Sequence, residues 1–156
     1  MRLLSEEQVR SAAGMLVAAR EDRLVLTGLP TEVTPESTAD IQRIINAVSE
    51  QIDRPVGGWK TYALYKPMHP PFFAPIYDLF PSGATIPAHI SPHRLIEPEI
   101  MFRADRDFPA RDRNYDIVEI MEAVTCVIGF EVISSRFTVN VTAEHAAAHG
   151  EGQPSL

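Results

Sequence analysis

The stretch Leu95-Ile-Glu-Pro-Glu-Ile-Met-Phe102 decides how this chain is read. Apolar and acidic residues alternate along it, as in a β-strand whose successive side chains point to opposite faces. Glu97, Glu99 and Met101 share one face; Ile96, Pro98, Ile100 and Phe102 share the other. The alternation runs from Arg94 to Ala104. Neighbouring carboxylates on one strand face repel, and burial raises that cost unless a cation neutralises them. An all-oxygen donor set suits Mg²⁺, Mn²⁺ or Ca²⁺ rather than Zn²⁺. The competing reading is a solvated acidic face on an edge strand, which Pro98 permits.

Towards the C-terminus, Val127-Ile-Gly-Phe-Glu-Val-Ile133 lies within an apolar run, Thr125 to Ser134, that reads as a fully buried strand. Glu131 is costly there unless an arginine such as Arg136 or a metal ion compensates its charge. Glu97, Glu99 and Glu131 on two core strands would form a facial metal site with positions left open. Between the two runs, Ile117, Ile120, Met121 and Val124 predict a helix over Tyr115–Val124. The single cysteine, Cys126, sits among Val, Ile and Thr and is expected to be a buried, reduced thiol.

Towards the N-terminus, Ser5-Glu-Glu-Gln8 is a capping box, followed at helical spacing by Val9, Ala12, Ala13, Leu16 and Ala19. Leu24 to Leu29 is a short apolar segment ended by Pro30. Thr34-Pro35-Glu36 predicts a second helix start with proline at its first position, and Ile41, Ile44, Ile45, Val48 and Ile52 supply an apolar face. Trp59-Lys-Thr-Tyr62 is strand-like, and the proline-rich residues 67–87 are expected to be irregular. Lys60, in a hydrophobic run, could anchor a carboxylate or, if desolvated, exchange protons; the alternative is a surface lysine. Helices first, then strands with one helix between them, predict an α+β fold. The expected organisation is a helical region over 1–55, a metal-binding portion over 56–142 and a mobile tail over 143–156, within one domain.

Composition narrows the function. The 156 residues, 45% hydrophobic and 22% charged, suffice for one domain with a core. A net charge of −7 without a Lys/Arg cluster argues against a nucleic-acid partner. No apolar run approaches the roughly 20 residues that span a bilayer, so no membrane partner is expected. The acidic start Met1-Arg-Leu-Leu-Ser-Glu-Glu is unlike a signal peptide, and the cytoplasm is the expected compartment. His145 and His149 are four apart, but Glu144 precedes the first, unlike the zinc-protease arrangement. His69, His89 and His93 read as surface or hydrogen-bonding residues. The chain has no Gly-rich phosphate loop, nucleophile elbow or Cys-x-x-Cys.

Four segments, in order, carry a resemblance: Thr34-Pro-Glu-Ser-Thr-Ala-Asp-Ile-Gln42, Val56-Gly-Gly-Trp-Lys60, Ile96-Glu-Pro-Glu-Ile-Met-Phe102 and Phe130-Glu-Val-Ile-Ser-Ser-Arg136. Together they resemble the 2-keto-4-pentenoate hydratase and 4-oxalocrotonate decarboxylase group of the fumarylacetoacetate hydrolase superfamily. The resemblance implies N-terminal helices packed on a mixed β-roll, with Glu97, Glu99 and Glu131 as ligands of Mg²⁺ or Mn²⁺ and Lys60 as the active-site lysine. It implies a lyase, a hydratase or decarboxylase, acting on a 2-oxo or 2-hydroxydienoic acid through a metal-stabilised enolate. An acylpyruvate-type C–C hydrolase with the same metal is an alternative; a silent, truncated homologue that binds a ligand or partner is another. Two departures stand out. The family's Pro-Asp-Tyr/Phe-Gly corresponds to Pro71-Phe-Phe-Ala74, so Phe72 replaces an active-site acid, and Asp78 lies six residues further on. The family's chains also continue past the position of Leu156 with further β-roll strands. Association into a homo-oligomer is expected, since a half-length β-roll leaves strand edges open.

Overall fold

Ser5 opens the first helix, α1 (Glu6–Glu21), and the capping box is complete: its side chain accepts from Gln8 N–H, and the Gln8 side chain accepts from Ser5 N–H. The computed structural model describes residues 3–62, 71–90, 95–133 and 135–138. The other elements are α2 (Thr38–Ile52), β1 (Gly58–Tyr62), β2 (Phe72–Ile76), β3 (Leu95–Ala104), α3 (Ile117–Met121) and β4 (Val124–Ile133). Helices with small antiparallel sheets make the chain α+β. It divides into two units, Arg94–Ile133 and the remainder. The tail over 143–156 lies outside the described residues.

In the helical unit, α2 begins at Thr38 rather than in the predicted Thr34-Pro35-Glu36. The Thr34 hydroxyl donates to the Leu29 and Pro30 carbonyls and closes a turn instead. Extended Ser37 caps the helix, its side chain accepting from Asp40 N–H. Asp53, at φ 46°, ends α2 in the left-handed region, which Asp tolerates better than most residues. Helix α1 buries Val9, Ala12, Ala13, Leu16, Val17 and Ala19, and α2 buries Ile41, Ile44 and Ile45. One core cluster contains Leu4, Val9, Ala12, Leu16, Leu29, Val33, Ile44 and Phe137. Within the apolar segment Leu24–Leu29, Leu26 forms a parallel bridge to Phe137.

Asp40, fully buried, ties the chain start to α2. Its carboxylate accepts from Leu4 N–H at 3.3 Å and from the Ser37 hydroxyl at 3.1 Å, and pairs with Arg43 at 2.8 Å. Arg43 also donates to the Leu4 carbonyl at 2.7 Å and pairs with Glu6 at 2.5 Å. A buried carboxylate is tolerated because several donors replace its lost hydration.

Strand β2 lies within the residues expected to be irregular, and this corrects that expectation. It pairs antiparallel with β1, Trp59 opposite Pro75 and Lys60 opposite Ala74. On its other edge, the Gln42 side chain accepts from Phe73 N–H at 2.7 Å and donates to Phe73 C=O at 3.1 Å. One helix amide thus takes the place of a third strand. Pro75, two residues on, turns its donorless nitrogen to that same edge, where a proline is tolerated. Phe72 and Ala74 face inward and cluster with Ile41 and Ile45.

In the second unit β3 and β4 form an antiparallel pair from Leu95 opposite Ile133 to Ala104 opposite Val124. Polar contacts order the connection. Glu119 accepts from Arg111 at 2.6 and 2.8 Å and from Arg113 at 2.9 and 3.2 Å. The Arg111 guanidinium lies 3.6 Å from the Tyr115 ring centre, and Phe108 meets that ring edge-on. The helix predicted over Tyr115–Val124 is only the five residues of α3. Asp116 and Glu119 cap its start, while the Ala123 N–H bonds Ile120 C=O and ends it. Beyond it the β-branched Val124, Thr125, Val127 and Ile128 favour the strand. Ile117 and Met121, expected on its packed face, are exposed.

Candidate metal centre

The register of the β3–β4 pair assembles the site. Glu97 stands directly opposite Glu131, and Glu99 opposite Gly129. Alternation on each strand then puts all three carboxylates on one face. A carboxylate oxygen from each of Glu97, Glu99 and Glu131 lies within 4.8 Å of the other two, and all three residues are half-buried. Three carboxylates this close could hold a hard divalent cation and would leave coordination positions for water or an anionic ligand.

Met101, already expected on this face, and Gly129, which sequence reasoning passed over, shape it together. A Cβ on Gly129 would run into Met101 Sδ and Cε. The Met101 side chain therefore crosses to β4 and fills the space opposite Glu99. The signal was a glycine inside a strand, which often marks a close approach.

Two expectations about β4 are corrected. It is not fully buried: Ile133 is, but Ile128 and Phe130 are exposed. Cys126 is likewise an exposed thiol. A two-stranded ribbon covers one face at most with its own side chains, and among the described residues of this unit no second layer lies over the other face. Alternating and continuous apolar runs are therefore not told apart by composition alone.

Lys60 stands on β1, in the helical unit, half-buried and opposite Ala74. Phe72, at the position where the resemblance expects an acid, is 1% exposed and packed in the core. Asp78 is engaged with Arg54 at 2.6 Å, and this contact raises the arginine's pKa. His89 is exposed; the other four histidines lie outside the described residues. Among the described residues, no helix is long and apolar enough to cross a membrane.

Compared with protein-family models, with curated proteins and with solved structures, the chain finds no match.

Proposed function

We propose that the Glu97, Glu99 and Glu131 face holds Mg²⁺ or Mn²⁺ and that the protein is a metal-dependent lyase acting on a 2-oxo or 2-hydroxydienoic acid, by hydration or decarboxylation. The observation that carries the reading is the convergence of three carboxylates within 4.8 Å. Its all-oxygen donors favour a hard ion. Once bound, the ion would supply Lewis-acid polarisation of the substrate's 2-oxygen. Glu97 and Glu131, facing each other across the strands, would grip the ion from two sides, and Glu99 would close the triad along β3. Lys60 is proposed to orient the acid or move a proton, a role that rests on the resemblance of Val56-Gly-Gly-Trp-Lys60. The β-roll of the fumarylacetoacetate hydrolase type is likewise proposed, on the same four segments.

Calorimetric titration of Mn²⁺ into metal-free protein tests the site. Wild type should bind at least tenfold more tightly than Glu97→Ala/Glu99→Ala; equal affinity sinks the reading. Turnover of a panel of 2-oxo acids, lost in Lys60→Ala, tests the reaction. Water addition without chain cleavage would distinguish it from acylpyruvate hydrolysis.

A second reading is favoured by Phe72. Its burial in an apolar cluster leaves no acid at that position, as in a homologue that binds a ligand without turning it over. Metal binding without turnover of any panel member selects this reading.

A further inference from the structure

The face of the β3–β4 ribbon turned away from the carboxylates carries Ile96, Pro98, Ile100 and Phe102 on β3. From β4 it carries Cys126, Ile128, Phe130 and Val132, paired with them in reverse order. None of the eight is charged. Five large side chains are mostly uncovered: Ile96 at 61%, Ile100 at 73%, Phe102 at 68%, Ile128 at 82% and Phe130 at 63%.

We infer that this face is a self-association surface on which two copies of the chain pair sheet to sheet. Its size is the first argument. With about 200 Å² for each fully exposed side chain, these five leave roughly 700 Å² of apolar surface. That exceeds the roughly 300–600 Å² of the largest patch on an ordinary monomer and approaches the ~800 Å² that each partner buries in a standard interface. Its chemistry is the second. A second copy presents the same uncharged surface, so pairing would strand no charge from this face in the interface. Its geometry is the third. Aligned ribbons stack face to face at about 10 Å, and two identical faces meeting about a two-fold axis between them make an isologous contact. The inference does not rest on the metal reading, because the carboxylates occupy the opposite face.

Cys126, the only cysteine of the chain and part of this face, is a built-in reporter. Light scattering after size exclusion should give a discrete dimer for the wild-type chain. The reaction rate of Cys126 with a thiol reagent should fall at least fivefold between dilute and concentrated protein. Ile100→Glu/Ile128→Glu should be a monomer with a concentration-independent rate, with circular dichroism confirming that it is folded. Phe102→Ala/Phe130→Ala, which adds no charge, should at least weaken the dimer tenfold. A monomeric wild type overturns the inference, whether its thiol is free or protected. So do a ladder of larger species without a dimer, and a dimer that both variants leave intact.

Discussion

At the residue scale, Asp40 shows how a buried charge becomes a structural tie. Its carboxylate meets Leu4 N–H, the Ser37 hydroxyl and Arg43, while Arg43 holds the Leu4 carbonyl, so both backbone polar groups of Leu4 end on α2. Removing the acid takes the acceptor from two buried donors, the Leu4 N–H and the Ser37 hydroxyl. Asp40→Ala should cost about 3 kcal/mol in a urea unfolding experiment. Asp40→Asn, which keeps the shape and one acceptor, should cost clearly less. Equal losses would mean that the carboxylate charge, rather than its acceptor geometry, holds the chain start. Sequence reading placed the apolar residues of α2 correctly but passed over Asp40. An aspartate in a first helical turn normally reads as a solvated, dipole-favoured residue, and its burial among Leu4, Ser37 and Arg43 is a matter of tertiary structure.

At the element scale, α3 is too short to be stable on its own. It is held by Glu119, whose carboxyl lies well below the ordinary range of 4.5, first because Arg111 donates to it and next because Asp116 N–H does. The folded pKa is lower than the unfolded one. The stabilisation is therefore complete above about pH 4.5 and is lost as pH falls below that value towards the folded pKa. Asp105, lowered by Thr125 and then Arg103, acts in the same sense. Because Glu119 stays ionised in the folded chain well below 4.5, the Tyr115 ring-proton shifts should hold from pH 6 to pH 3, since that ring is packed by Arg111 and Phe108. Glu119→Gln should show shifts displaced towards random-coil values at both pH values. Wild-type shifts that move with a midpoint near 4.5 would refute the tie. The element's existence was legible from its apolar spacing. Its length was not, because the Ala123–Ile120 turn and the pairing of Val124 with Ala104 compete with helix propagation.

At the scale of the whole molecule, the two units differ in what protects their backbones. The helical unit has two clusters of buried apolar side chains, whereas the ribbon unit leaves most of its large apolar residues exposed. Amide exchange should therefore be slowest in α1 and α2 around Leu16 and Ile44, and at least tenfold faster in β3 and β4 of the monomeric Ile100→Glu/Ile128→Glu chain. Equal protection in both would show that the ribbon is covered in solution by something other than a second copy. In the wild type, concentration-dependent slowing confined to β3 and β4 would accompany pairing.

The sequence by itself determined the capping of α1, the apolar faces of both long helices, and the alternation that put Glu97 and Glu99 on one side of a strand. These are local: a 3.6-residue or two-residue period and a cap are written in adjacent residues. Only the tertiary structure decided that Glu131 stands opposite Glu97, because strand register depends on pairing across more than 30 residues of sequence. It also decided that Phe72 is core rather than a site residue, that Gln42 closes the edge of β2, and that the apolar side of the ribbon lies exposed. Burial belongs to what packs on a face, and no run of residues in one strand contains that information.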